Sequence, residues 1–312
     1  MNFADRLVES IVRTNNHSVV GLDPRIEQMP EFIVQGIRKH ELRDEMIRHA
    51  VADFHRLVIS TICDLIPAVK LQIAFYEQYG LPGLLAFSDT IAEAKKHDLI
   101  VMVDAKRNDI SSTAQAYANS FLGETDFLGK SEAVYNVDAI TVNPYMGRDS
   151  IMPFVETCKA YDKGIFILVK TSNSGSTDFQ DLQIAEHGHA ALCDKVAELV
   201  SELGQSLVGN SGYSSVGAVV GATYPDEACR LRKLMPHAYF LVPGYGAQGG
   251  RAEDIAPCFN RDRLGAVVNA SRSITYDLND RYISSGGFCD LLRERTIQMR
   301  HEINEATQSF GG

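Results

Sequence analysis

The chain has 312 residues, of which 45% are hydrophobic and 22% charged, a composition typical of a globular protein with a sizeable core. Its formal net charge is −10 and its pI is about 5.4, which argues against a protein that coats nucleic acid or binds an anionic membrane surface. No apolar run reaches the roughly 18 residues that a membrane-spanning helix needs. A small anionic substrate stays compatible with this charge, because a local group of donors can bind phosphate whatever the net charge.

The six cysteines indicate a reducing compartment. They are scattered and form no C-x-x-C pair, so we expect neither a disulfide framework nor a structural zinc site. His187 and His189 are the only close histidine pair, and in the helical pattern around them their side chains would point to different faces. We therefore expect a cytoplasmic protein without a bound metal.

Apolar runs rich in valine and isoleucine alternate with helical patterns along the whole chain. An amphipathic helix is predicted first, over residues 3–13. The predicted strands cover residues 18–23, 68–75, 99–104, 139–143, 164–170, 216–222, 238–242 and 265–269. The helical patterns include residues 42–65, 84–97, 149–161, 182–203, 225–234 and, last, 288–305. The segment 26–41 is longer than most loops between a strand and a helix, and we assign it no role.

Strands that alternate with helices indicate βαβ units and a parallel sheet. Eight such units are what closes a (β/α)8 barrel, so we predict a single TIM-barrel domain over residues 1–312, with the extra N-terminal helix covering the barrel floor. A doubly wound open sheet is the alternative, since periodicity alone does not exclude it. No G-x-G-x-x-G follows the first strand, which disfavours a dinucleotide-binding sheet.

Polar residues follow the predicted strands at their carboxyl ends, where the active site of a parallel barrel lies. The third strand is the most informative. With a period of two, Asp104 and Lys106 share one face and Val101 and Val103 the other. Because the valines can pack against the helices, we expect the charged pair to point toward the barrel mouth. Asp109 follows in the loop and can approach the same ammonium group. Nearby carboxylates favour the charged form of a lysine, and a fixed ammonium is suited to donating a proton to carbon.

A second group of residues indicates a phosphate site. Barrel phosphate sites are commonly built from the loops after strands seven and eight. Here those loops carry Gln248, Gly249 and Gly250, and Arg272. Glycines let backbone N–H groups approach an anion closely, and an arginine can make a forked contact with phosphate oxygens.

These motifs together resemble a known family. Asp104-x-Lys106-x-x-Asp109, with Gln248-Gly249 and Arg272 on the later loops, resembles orotidine 5′-phosphate decarboxylase. Longer stretches resemble the longer-chain (type 2) subgroup of that family, over residues 3–300: VDAKRNDISSTAQAYA, VKTSNSGS, VVGATYPDEA, VPGYGAQGG and VVNASRSI.

The resemblance implies a role for each matching residue. Lys106 would protonate C6 of the pyrimidine as CO₂ leaves, and Asp104 would lie against the substrate carboxylate. Asp109 would enter from the partner subunit of a homodimer, with Thr113 also reaching across. The remaining implied contacts are those of Asp23 and Lys70 with the ribose and the charged network, Ser172 and Pro225 with the base, and Gln248, Gly249 and Arg272 with the 5′-phosphate.

The implied reaction is the conversion of orotidine 5′-phosphate to uridine 5′-phosphate in de novo pyrimidine biosynthesis. Loss of CO₂ from a vinylic carbon leaves a localised anion with no electron sink in the ring. We expect no cofactor, so the protein has to stabilise that anion electrostatically. Binding energy from the remote phosphate can offset the strain of crowding Asp104 against the substrate carboxylate.

Three other functions fit parts of the sequence. A metal-dependent sugar-phosphate decarboxylase or aldol-type synthase shares the D-x-K-x-x-D motif, but Lys70 stands where an acidic residue would help to hold Mg²⁺. A Schiff-base aldolase would use Lys70, Lys106 or Lys170, but a lysine between two carboxylates is a poor nucleophile. A non-catalytic phosphate-binding barrel is the third, but packed charges are costly without a function. The four charges expected at the mouth, those of Lys70, Asp104, Lys106 and Asp109, therefore argue against it.

Overall fold

The computed structural model describes residues 1–245, 252–276, 278 and 280–310. Eight parallel strands in this part of the chain close into a barrel in which each strand pairs with its neighbours in sequence and the eighth pairs with the first. The predicted (β/α)8 fold is therefore confirmed. The strands are, in order, Ser18–Gly21, Ala68–Gln72, Ile100–Arg107, Ala139–Val142, Gly164–Lys170, Ser214–Val220, Ala238–Val242 and Ala266–Ala270.

Helices surround the barrel and connect its strands. The described α-helices are Phe3–Thr14, Glu31–Ile37, Arg43–Ile62, Ala74–Glu77, Leu81–Lys96, Ser111–Phe121, Arg148–Tyr161, Leu192–Gly204, Pro225–Leu234, Ala252–Ile255, Arg272–Thr275 and Ser285–Phe310. Short 3₁₀ helices cover Ile26–Gln28, Ser174–Asp178, Ala185–His187, Gln205–Leu207 and Ala256–Cys258. Two small antiparallel hairpins lie outside the barrel, Thr125–Phe127 with Lys130–Glu132 and Gln183–Ile184 with Ala190–Ala191.

The helix predicted over residues 182–203 was wrong in its first half. Residues 182–191 form the second hairpin, with His187 ending its 3₁₀ turn and His189 in a left-handed conformation at φ 63°. The two histidines therefore do not lie on an α-helix. The helix begins at Leu192 because the Asp194 carboxylate accepts a hydrogen bond from the Ala191 N–H at 3.1 Å, and this capping contact satisfies a free donor of the first turn.

The N-terminal helix closes the barrel floor, as predicted. Phe3 is buried and meets the ring of Phe166 edge-on, with centroids 5.9 Å apart. Gly164 leaves the room for this contact, since a Cβ there would lie 2.2 Å from the Phe3 ring. Arg6 donates a hydrogen bond to Asp138 at 2.6 Å, and this ion pair fastens the helix to the start of the fourth strand.

Two further features concern the cysteines and the helices. All six cysteines are free thiols. Among the helices of the described residues, none combines the length and the apolar character needed to cross a membrane.

Phe3→Ala is expected to lower the free energy of unfolding by about 3–5 kcal/mol, because it removes a buried aromatic ring and leaves a cavity under the barrel. Urea denaturation measures this. Val12, on the same helix, is 67% exposed, so Val12→Ala is the matched control and should change stability by less than about 0.5 kcal/mol. Equal effects of the two substitutions would show that the helix does not plug the floor.

Candidate active site

A cavity of about 350 Å³ opens at the carboxyl ends of the strands, within the usual range for small-molecule sites. Six of the residues singled out in the sequence line it: Asp23, Lys70, Asp104, Lys106, Ser172 and Arg272. They come from loops and strands spread over most of the chain, and closure of the barrel is what brings them together.

Four of these side chains form a row of alternating charge. The Lys70 ammonium lies 3.3 Å from Oδ2 of Asp104, and the Lys106 ammonium lies 2.5 Å from Oδ1 of the same carboxylate. On the other side of Lys70, Asp23 accepts a hydrogen bond from the Gln72 N–H at 3.3 Å and acts electrostatically on the lysine. The row runs from a buried lysine, only 6% exposed, to Lys106, which is 44% exposed at the mouth.

The row keeps Asp104 ionised. Burial alone would raise the pKa of its carboxyl, but the Lys70 and Lys106 ammonium groups, with hydrogen bonds from Lys106 and Thr141, lower that pKa to about 2. Burial alone would likewise lower the pKa of Lys70, and the Asp104 and Asp23 carboxylates raise it above its usual value. Each buried charge in the row is thus stabilised by an opposite neighbour.

Lys106 has an unusual backbone conformation. Its φ is 50°, in the left-handed region that a residue with a side chain seldom adopts. Its N–H and that of Ala105 both donate to Oγ1 of Thr141, at 2.9 and 3.0 Å. The third strand therefore does not pair regularly with the fourth at this point.

The loop after the fifth strand brings Ser172 to the cavity. Lys170 is fully buried, forms an ion pair with Asp181 at 2.5 Å and lies 4.4 Å from the ring centre of Tyr224. These two contacts hold Asp181, in the loop, and Tyr224 against the end of the fifth strand. Gly221 lets the end of the sixth strand pack against the same loop, because a Cβ there would lie 2.9 Å from the backbone of Ser172.

Arg272 lies at the mouth on the opposite side of the cavity. It begins a short helix directly after the eighth strand. Gly21 makes room for this turn, because a Cβ at Gly21 would lie 1.8 Å from Oγ of Ser271. Within the described part of the chain no carboxylate pairs with the Arg272 guanidinium, so it is available to an anion. Gln248 and Gly249, assigned to the same phosphate site, lie outside the described residues.

Three of the residues singled out do not line the cavity of this subunit. Asp109 accepts a hydrogen bond from the neighbouring Ile110 N–H at 2.7 Å, and Thr113 is exposed on the helix that follows. Pro225 begins the helix after the sixth strand, where its fixed φ suits the first turn. Pro243, at the end of the seventh strand, lines the cavity.

Sequence reasoning missed several residues that line the cavity. Arg25 lies with its guanidinium 4.5 Å from the ring centre of Phe75. Asn269 lines the cavity, and its buried Oδ1 has no hydrogen-bond partner among the described residues. Both Asn269 and Thr141 are polar residues at inward positions of apolar strands, and this interruption of the pattern was the signal that could have found them.

Comparisons with known proteins agree with this geometry. A family model described as "Orotidine 5′-phosphate decarboxylase / HUMPS family" matches residues 20–283. The chain belongs to this family. The orotidine 5′-phosphate decarboxylase of Rhodopirellula baltica is 43% identical over 307 residues, which cover 97% of this chain and 99% of that protein. The one from Caldicellulosiruptor bescii is 43% identical over 277 residues, covering 88% and 90%.

A solved structure of Leishmania donovani OMP decarboxylase superposes with a TM-score of 0.73 at 31% identity and covers 99% of this chain and 100% of that one. The family inferred from the sequence motifs is therefore confirmed. These relatives match this chain along nearly their whole lengths.

The low pKa of Asp104 predicts an acid-dependent part of the stability. A carboxyl whose pKa is lowered on folding stabilises the folded state above its unfolded pKa and loses that effect as the pH falls through the folded value. For a fall from 3.8 to about 2, the contribution is about 2 kcal/mol. The difference in unfolding free energy between wild type and Asp104→Asn should therefore be constant above about pH 5 and shrink by this amount toward pH 2. Urea denaturation at several pH values measures it, and a difference that does not change with pH would contradict the assignment.

Proposed function

We infer that the protein is an orotidine 5′-phosphate decarboxylase, which converts orotidine 5′-phosphate to uridine 5′-phosphate and CO₂ in pyrimidine biosynthesis. The observation that carries this conclusion is the charged row, in which an ionised Asp104 lies between two lysines at the mouth of a barrel. The family model covers a wider family, but the two relatives from Rhodopirellula baltica and Caldicellulosiruptor bescii are both named orotidine 5′-phosphate decarboxylase.

In the chemistry that we propose, two members of the row act on the reacting atoms, Asp104 and Lys106. The bond between C6 and the carboxylate breaks, its electron pair stays on C6, and CO₂ leaves. Lys106 then gives a proton to C6 and regains one from solvent. Asp104 faces the departing carboxylate, so that like-charge repulsion is present in the bound substrate and relieved when CO₂ departs. The Lys106 ammonium, already in place, stabilises the developing anion without reorganisation.

The remaining contacts hold the parts of the substrate that do not react. We assign the 5′-phosphate to Arg272, together with Gln248 and Gly249 on the preceding loop. Asp23 and Lys70 are placed at the ribose, and Ser172 at the base. Binding energy collected at the phosphate can offset the repulsion at Asp104, because only the difference between ground state and transition state speeds the reaction.

We also propose a homodimer with shared active sites. Exposed apolar side chains are concentrated between the third strand and the helix after the fourth. They are Ile110, Phe127, Leu128, Val134, Tyr145 and Met146. Asp109 and Thr113 lie on either side of Ile110 and do not line the cavity of their own subunit, which leaves them available to the partner's cavity. The proposal treats residues 1–312 as a single domain and the enzyme as cytoplasmic, in keeping with its free thiols.

The rival functions fit the site less well. The buried Lys70 occupies the position where a metal-dependent relative would need a carboxylate, and its charge repels a cation. Each lysine that a Schiff-base aldolase could use is already ion-paired, namely Lys70 and Lys106 with Asp104 and Lys170 with Asp181. An ammonium held in this way is a poor nucleophile.

Purified protein is expected to consume orotidine 5′-phosphate in an ultraviolet assay and to keep full activity after exhaustive dialysis against a chelator, since the proposed chemistry routes no step through a metal. Absence of turnover with this nucleotide would overturn the function. Activity that disappears on dialysis and returns with Mg²⁺ would favour the metal-dependent alternative.

Subunit exchange tests the shared site. Lys106→Ala and Asp109→Ala homodimers are each expected to be nearly inactive, because each lacks one residue in both sites. A mixed dimer has one site without either residue and one intact site. Equal mixing makes about half of the dimers mixed, so about a quarter of all sites should become native. Activity should rise toward that level while mass spectrometry follows the exchange.

Two results would contradict this arrangement. If exchange is complete and no activity appears, Asp109 acts within its own subunit. If Asp109→Ala alone is as active as wild type, this residue takes no part in the site.

A further inference from the structure

Thr141, on the fourth strand, uses all the hydrogen-bonding capacity of its hydroxyl group. Its Oγ1 accepts from the N–H groups of Ala105 and Lys106 at 3.0 and 2.9 Å and donates to Oδ1 of Asp104 at 2.9 Å. A threonine hydroxyl has one donor and two acceptor positions, so none is left for another partner. Thr141 is only 2% exposed, so water does not readily replace these bonds.

The hydroxyl replaces a missing part of the β-ladder. Between the pairs Val103 with Ile140 and Arg107 with Val142, the third strand advances four residues while the fourth advances two. The excess residues form a bulge, a feature that often re-aims a side chain beside an active site. Two backbone N–H groups in this bulge are satisfied by a side chain instead of by carbonyl groups of the neighbouring strand.

The bulge contains the residue with the unfavourable backbone. Lys106 has a φ of 50°, and such a conformation persists only where the surroundings hold it in place. Its N–H donates a hydrogen bond to Oγ1 of Thr141, and the same hydroxyl donates to the carboxylate that pairs with the Lys106 ammonium. One side chain thus fixes both ends of the contact between Asp104 and Lys106.

We propose that Thr141 is a positioning residue for the decarboxylation. Its hydroxyl holds the bulge so that the Lys106 ammonium and the Asp104 carboxylate face the substrate in a fixed arrangement. This inference rests on the proposed function, since it assigns Thr141 to the step in which Lys106 protonates C6. Catalysis by preformed charges depends on such support, because a displacement of about 1 Å can lower the rate by about 100-fold.

Two substitutions separate the hydroxyl from the shape of the side chain. Thr141→Val keeps the branched shape and removes the hydroxyl, and Thr141→Ser keeps the hydroxyl and removes a methyl group. If Thr141 acts through Lys106 and Asp104, Thr141→Val should lower kcat about 10- to 100-fold. Thr141→Ser should restore kcat to within about threefold of wild type. Both variants should keep KM, and Kd for uridine 5′-phosphate, within about threefold of wild type.

Steady-state kinetics, titration with uridine 5′-phosphate and thermal unfolding of all three proteins decide the matter. An unchanged kcat in Thr141→Val would overturn the proposal, and so would equal losses in the two variants. A Thr141→Val protein that no longer binds uridine 5′-phosphate, or that does not fold, would assign the hydroxyl to stability and also overturn it. Failure of the wild-type protein to decarboxylate would instead remove the proposed function itself.

Discussion

The site depends on one interaction, the contact of the Asp104 carboxylate with two ammonium groups in a largely buried mouth. Unpaired charges at this depth would be strongly destabilising, and removal of one member of a buried pair leaves the other uncompensated. The barrel makes the pairing possible because strands two and three are neighbours, with Lys70 opposite Met102 and Gln72 opposite Asp104. Ser172, from the loop after the fifth strand, and Arg272, after the eighth, line the same cavity as this row.

The same interaction explains how the proposed chemistry proceeds without a resident electron sink. In that proposal, an ionised Asp104 opposes the substrate carboxylate in the ground state, and the adjacent Lys106 ammonium favours the carbanion that replaces it. The repulsion is relieved toward the transition state and the stabilisation of the carbanion grows toward it, so both effects favour the transition state over the bound substrate, which is the requirement for raising kcat and not only affinity. The energy that holds a repelled carboxylate in place has to come from elsewhere on the substrate, and the phosphate group at Arg272 is suited to supply it.

Much of the fold could be predicted because it depends on local pattern. Apolar runs gave all eight strands, and the position of Asp104 and Lys106 at the end of one run indicated the site. What could not be predicted depends on register between segments distant in sequence. The bulge at Lys106 is held by Thr141, which lies 35 residues further along the chain. The residues next to Lys106 in the sequence do not indicate this bulge. The hairpin over residues 182–191 was missed because the capping contact of Asp194 overrides a helical pattern.

We propose that Lys106 exchanges a proton with C6 of the nucleotide. By microscopic reversibility, the group that protonates C6 also removes the C6 proton from bound product. Uridine 5′-phosphate incubated with the enzyme in D₂O should therefore exchange its C6 hydrogen for deuterium, which proton NMR follows directly. The account predicts exchange with wild type and none above background with Lys106→Ala at a saturating concentration of nucleotide. Equal exchange rates with the two proteins would show that another group carries the proton and would contradict the account.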